Sequence, residues 1–116
     1  MKRLILLLSL SMISLIDASE NDVNIAWCVD MKGDYQFRTK DGTYVDCITD
    51  EYAIEAEYDY NWKEAIGQSL HYAESTNKKA GILFIKRAKS RKDYYSEMMR
   101  VINRFKLPIK VYVTEE

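Results

Sequence analysis

The sequence predicts an α/β domain with a mixed β-sheet flanked by helices, in the order β-β-β-α-β-α-β. Three observations carry that expectation. Two alternating apolar–polar runs flank a Lys40-Asp41-Gly42-Thr43 turn, the chemistry of a β-hairpin, because Gly supplies the positive φ such turns require. The stretch from Asn61 to Thr76 places apolar residues at helical spacing. Ala80-Gly81-Ile82-Leu83-Phe84-Ile85 is an unbroken apolar run of strand length, which suits a central strand covered on both faces.

Taken in order, the chain begins with Lys2-Arg3, an apolar run from Leu4 to Ile16, and Asp17-Ala18-Ser19. That pattern reads as a secretory signal peptide over residues 1–18, with Ala18 the last residue removed. A membrane anchor, the other reading, needs about 20 apolar residues. The expectation is therefore an exported protein, periplasmic or secreted and without a membrane segment in its mature form, folding as a single domain over 19–116. Ser19 to Met31 is the least readable stretch, a short helix or docking segment around Ile25 and Trp27. Gly33 to Thr39, Thr43 to Thr49 and Tyr52 to Tyr58 alternate well enough to form three strands of an antiparallel meander. Asp59 or Asn61 is placed to cap the helix that follows, whose buried stripe is Trp62, Ala65, Ile66, Ser69, Leu70 and Ala73. Asn77 ends it. A second helix runs from Arg91 to Phe105 with Tyr95, Met98, Met99, Ile102 and Phe105 inward. Pro108 lies beyond that helix, and Leu107 to Thr114 closes the sheet.

Charge is unevenly distributed. The chain holds 17 basic and 18 acidic residues. Between Asp41 and Glu64, eight acids stand against Lys63 alone, whereas from Lys78 to Lys110 eleven bases face Asp93 and Glu97. An acidic pocket beside a basic surface suits a metal-dependent enzyme working on a phosphate backbone. The loop Lys86, Arg87, Lys89, Arg91 and Lys92 is the candidate nucleic-acid contact, or else a solvated turn. Cys28 and Cys47 form an even pair. In an oxidising compartment they predict a disulfide closing a loop of about 20 residues, worth about 3 kcal/mol through the unfolded state; the other reading is two small buried apolar side chains. His71 is the single histidine, which excludes a histidine-rich metal site. No phosphate-cradling glycine loop or paired Cys-x-x-Cys motif is present.

The candidate chemistry sits between Tyr44 and Tyr72. Side chains two apart on a strand share a face, so Glu55 and Glu57 project together while Ile54 and Ala56 project oppositely. A hairpin partner brings Asp46 beside them. Three converging carboxylates repel unless a hard cation such as Mg²⁺ or Mn²⁺ sits among them. On the next helix Glu64, Gln68 and Tyr72 fall at i, i+4 and i+8, on a stripe able to face that cluster.

Tyr44-Val45-Asp46-Cys47, Ala53-Ile54-Glu55 and the helix Trp62-Lys63-Glu64-Ala65-Ile66-Gly67-Gln68-Ser69-Leu70-His71-Tyr72-Ala73 together resemble the PD-(D/E)XK nuclease superfamily, in particular its small exported bacterial members. The likeness spans Gly33 to Ile85. It implies a restriction-endonuclease-like core, Asp46 and Glu55 as ligands of Mg²⁺ or Mn²⁺, Gln68 and Tyr72 in supporting roles, and hydrolysis of nucleic-acid phosphodiester bonds, DNA ahead of RNA. One departure stands out: the family's lysine, two residues after the Glu, is Glu57 here. Either Glu57 acts as general base or further ligand, or Lys63 reaches back in its place. The rival expectations are a degenerate member that binds nucleic acid or a protein without cleaving, and an interaction module whose carboxylates are incidental.

Overall fold

The computed structural model describes residues 19–116, so the signal-peptide reading of residues 1–18 lies outside the described residues. The stretch that was hardest to read is a helix, α1 (Glu20–Asp30). Ser19 starts it: its hydroxyl accepts from the Asp22 N–H and the Asp22 carboxylate accepts from the Ser19 N–H, a reciprocal cap on two otherwise unpaired donors. Strands β1 (Asp34–Arg38), β2 (Tyr44–Ile48) and β3 (Tyr52–Tyr58) follow, then a short 3-10 turn (Asp59–Asn61), α2 (Trp62–Thr76), β4 (Lys79–Lys86), α3 (Tyr94–Arg104) and β5 (Ile109–Glu115). The five strands form one mixed sheet in sequence order. The first three are antiparallel; β3, β4 and β5 run parallel. Parallel neighbours need a long crossover, which α2 and α3 provide.

Two layers of helix sandwich the sheet. On one face Cys28 of α1 packs with Cys47, Ile54, Ala56, Leu83 and Ile85. On the other, Trp62 and Ala65 of α2 and Met98 and Ile102 of α3 pack on Ile82 and Phe84. β4 thus sends alternate residues into two cores, which is why its sequence is apolar throughout. Cys28 and Cys47 are disulfide-bonded, Cα atoms 5.7 Å apart, and tie α1 to β2. Gly33 lies against that bond. A Cβ there would stand 2.7 Å from Cys47 Sγ, 2.8 Å from the Ile48 carbonyl oxygen and 2.9 Å from Cys28 Sγ.

Four local expectations need correction. Phe105, expected inward, is 64% exposed, because α3 ends at Arg104 and Phe105 follows the last helical residue instead of continuing the inner stripe. All five β1 residues are exposed: it is an edge strand, and α1 reaches it without burying it, Gln36 Nε2 donating to Asn21 Oδ1 at 2.7 Å. Gln36, in its centre, has a left-handed backbone (φ 56°) and drops out of the pairing between Tyr35↔Cys47 and Phe37↔Val45. Neither Asp59 nor Asn61 caps α2 through its side chain; buried Asp59 instead receives Arg87, as described below. The Asn77 stop is present, with that residue left-handed (φ 54°) and its N–H turned back to Ala73 and Glu74. Among the described residues no helix is long and apolar enough to cross a membrane.

Candidate carboxylate site

β2 and β3 pair only at Cys47↔Ile54 and Ile48↔Ala53, then part. The gap leaves β3 backbone donors without a strand to receive them, and buried N–H groups must find acceptors. Two carboxylates supply them. Asp46 Oδ2 accepts from the Ala56 N–H at 2.8 Å, and Glu20 Oε2, reaching over from α1, accepts from the Tyr58 N–H at 3.3 Å. Asn24, one turn beyond Glu20 and 1% exposed, donates its Nδ2 to the Asp46 carbonyl at 2.8 Å. Helix α1 therefore braces both sides of the splay.

Glu55 and Glu57 project from β3 beside this pair and are themselves buried, at 6% and 9% exposure. Burial, the charge of Asp46, a hydrogen bond with Asp46 and the charges of Glu57 and Glu20 push the Glu55 carboxyl up to about 10. Glu55 thus carries a proton at neutral pH and shares it with Asp46, which burial also raises. Glu57 is pushed up to about 7, first by burial and then by the charges of Glu20, Asp46 and Glu64. Asn61 Nδ2 stands 3.5 Å from Glu57 Oε2. Glu20 is raised by burial as well, against the opposing pull of the Tyr58 N–H. Four acids crowd one region with hardly any compensating positive charge.

From α2, Tyr72 is half-buried against Val45, Ile48 and Ala53. Burial and then the charges of Glu55 and Asp46 raise its hydroxyl, which puts that ring on the carboxylate side. The buried Oε1 of Gln68 makes no hydrogen bond within the protein. His71 lies on the outer side of this helix, 3.5 Å from Asp41.

Lys63 does not join the cluster. Its ammonium lies 5.6 Å from the Trp62 ring centroid and its charge acts on Glu97 of α3. The first turn of α2 points it away from β3, so the expectation that it reaches back among the carboxylates does not match the geometry. The basic loop divides similarly. Arg87 is committed internally: Nε donates to buried Asp59 at 3.0 Å, Nη2 to Ser90 at 3.2 Å, and the guanidinium covers the Tyr60 ring at 4.2 Å. Burial alone pushes Asp59 up, but the Ser90 and Arg87 hydrogen bonds bring it below the usual range. Lys92 pairs with Glu97 at 2.9 Å. Lys86, Lys89 and Arg91 remain exposed.

The chain is 32% identical over 81 residues to a KilA-N domain-containing protein of Acanthamoeba polyphaga mimivirus, an alignment covering 70% of this chain and 22% of that protein. The chain thus spans under a quarter of its relative's length. No family model and no solved structure matches the chain.

Glu20 and Asn24 are the site residues that sequence reasoning missed. The signal was there: Ser19-x-x-Asp22 is a helix start, and residues four apart share a helix face. Asp46 and Glu55 are oxygen donors of the kind a hard divalent cation takes. Among the described residues no three His, Cys, Asp or Glu side chains are gathered as a ready metal cage, but Mg²⁺ asks for less, taking one or two carboxylates and keeping water for the rest. Asp46 and Glu55 already share a proton where a cation would serve, and the unpaired Gln68 Oε1 is a further oxygen donor on the helix that faces them.

Proposed function

We propose that this chain is a metal-dependent phosphodiester hydrolase of PD-(D/E)XK type with a restriction-endonuclease-like core, acting on nucleic acid, DNA ahead of RNA. The observation that carries the reading is the splay between β2 and β3, where Asp46 leaves the ladder to stand against Glu55. The antiparallel meander, crossover helix and parallel fourth strand also agree with the sequence resemblance.

Asp46 and Glu55, assisted by Gln68, would hold Mg²⁺ or Mn²⁺. When bound, such an ion neutralises charge growing on the phosphate oxygens and acidifies water. Glu57 supplies the base. Its carboxyl titrates near neutrality through burial and surrounding acids, the range in which a carboxylate both exists ionised and has proton affinity to spare. It takes a proton from the attacking water as the water oxygen bonds to phosphorus. The bond from phosphorus to the leaving oxygen breaks, and that oxygen is protonated from solvent. Tyr72 walls the cluster from α2.

A second reading, a nuclease-fold protein that binds without cleaving, draws on two observations: the motif lysine is Glu57, and Lys63 faces Glu97 instead of replacing it. Supercoiled plasmid separates the two. The hydrolase reading expects Mn²⁺-dependent nicking whose rate climbs as pH rises through about 7. It expects loss of nicking in Glu55→Gln and a fall of about 10²–10⁴-fold in Glu57→Gln. Intact plasmid with every divalent ion tried overturns hydrolysis and leaves the binder.

A further inference from the structure

A groove with a volume of about 840 Å³ runs between the start of α2 and one side of α3. Its wall carries Lys63, Lys92, Arg100 and Arg104, with Glu97 as the acid that pairs with Lys92. Two aromatic residues line it. Trp62 is buried at its base, while Phe105 is 64% exposed at its end, with the Arg104 guanidinium 5.3 Å from the ring centroid. An exposed ring beside a guanidinium presents a flat π-face flanked by a cation. Lys63 and Glu64 are consecutive on the first turn of α2: Lys63 lines the groove, while the charge of Glu64 acts on Glu57.

We propose that this groove is a subsite for single-stranded nucleic acid, with phosphates on Lys63, Arg100 and Arg104 and a base stacked on Phe105. The proposal rests on the hydrolase reading for its purpose, delivery of a strand to the carboxylates, but not for its binding chemistry. The excess of cations asks for a polyanion. The exposed ring selects among polyanions. Unpaired bases offer a π-face to stack, whereas duplex bases are already stacked on one another and a poly-glutamate chain offers carboxylates but no π-face. Arg100 and Arg104 sit one helical turn apart and line the same stretch of groove.

The test is fluorescence anisotropy of a short labelled oligothymidylate with full-length protein in EDTA, so that cleavage plays no part. The expected result is salt-dependent binding by wild type. Arg104→Glu should weaken it about tenfold or more and flatten the salt dependence. Phe105→Ala should weaken it about tenfold with the salt slope unchanged, and Phe105→Trp should restore it. Both positions are exposed, and thermal melts check that the variants fold. Absence of binding, equal affinity in wild type and both variants, or displacement by poly-glutamate as efficient as by unlabelled oligothymidylate would each overturn the proposal. Groove-dependent binding by a protein that nicks no plasmid supports this subsite while sinking the hydrolase reading; nicking without groove-dependent binding does the reverse.

Discussion

Glu57 shows how much one side chain's surroundings decide. A strand carboxylate in water titrates near 4.3, yet this one is buried beside Glu20, Asp46 and Glu64 and titrates at about 7, with Glu55 higher still. Both folded-state values lie above the unfolded ones, so the folded protein holds more protons than the unfolded chain between about pH 4.5 and 7, and through Glu55 beyond that. Stability must therefore fall as pH rises across this window. Melting temperature measured without divalent ions should decline from pH 5 to pH 8, and Glu57→Gln should make the decline shallower. A wild-type melting temperature that rises over the same range would contradict the crowding of acids. That Glu55 and Glu57 share a face could be read from the period of two along the strand. Their burial could not, because it depends on α1 and α2 closing over them.

At the scale of elements, α1 decides the site and was the element least visible in the sequence. Glu20-Asn21-Asp22 is polar, and the apolar residues that follow make a weak stripe, so periodicity gave little warning of a docked helix. Its position comes from tertiary contacts: the disulfide to β2, Asn24 on the Asp46 carbonyl, and Glu20 on the Tyr58 N–H. By contrast β4 and α2 were legible, the first from its unbroken apolar run and the second from its buried stripe. The edge strand β1 was legible as a strand but not as an exposed one, since alternation does not say how much lies opposite. The bracing of α1 predicts a cost at Gly33, where there is no room for a Cβ between both sulfurs and the Ile48 carbonyl. Gly33→Ala should destabilise the fold by about 1–3 kcal/mol, the usual range for overpacking, read as a lower urea midpoint at unchanged slope. A midpoint equal to wild type would mean that α1 and β2 are held less tightly than these contacts require.

Over the whole molecule, charge separates along the chain as its sequence suggested, and folding gives the separation a shape. The acids of β2, β3 and α1 gather at the splay, while Lys63, Arg100 and Arg104 line the groove across the first turn of α2. The linear sequence showed the acidic and basic halves but not their division of labour. It could not show that Arg87 is consumed by buried Asp59, or that Lys63 turns toward Glu97, because both partners come from distant elements. On the proposed function, a divalent cation bound by Asp46 and Glu55 displaces the proton they share. Calorimetric titration with Mn²⁺ at pH 7.5, repeated in buffers of different ionisation enthalpy, counts the protons released on binding. The prediction is saturable binding with about one proton released per ion in wild type, and loss of both signals in Asp46→Asn and in Glu55→Gln. Binding without proton release, or equal binding in the variants, would contradict it.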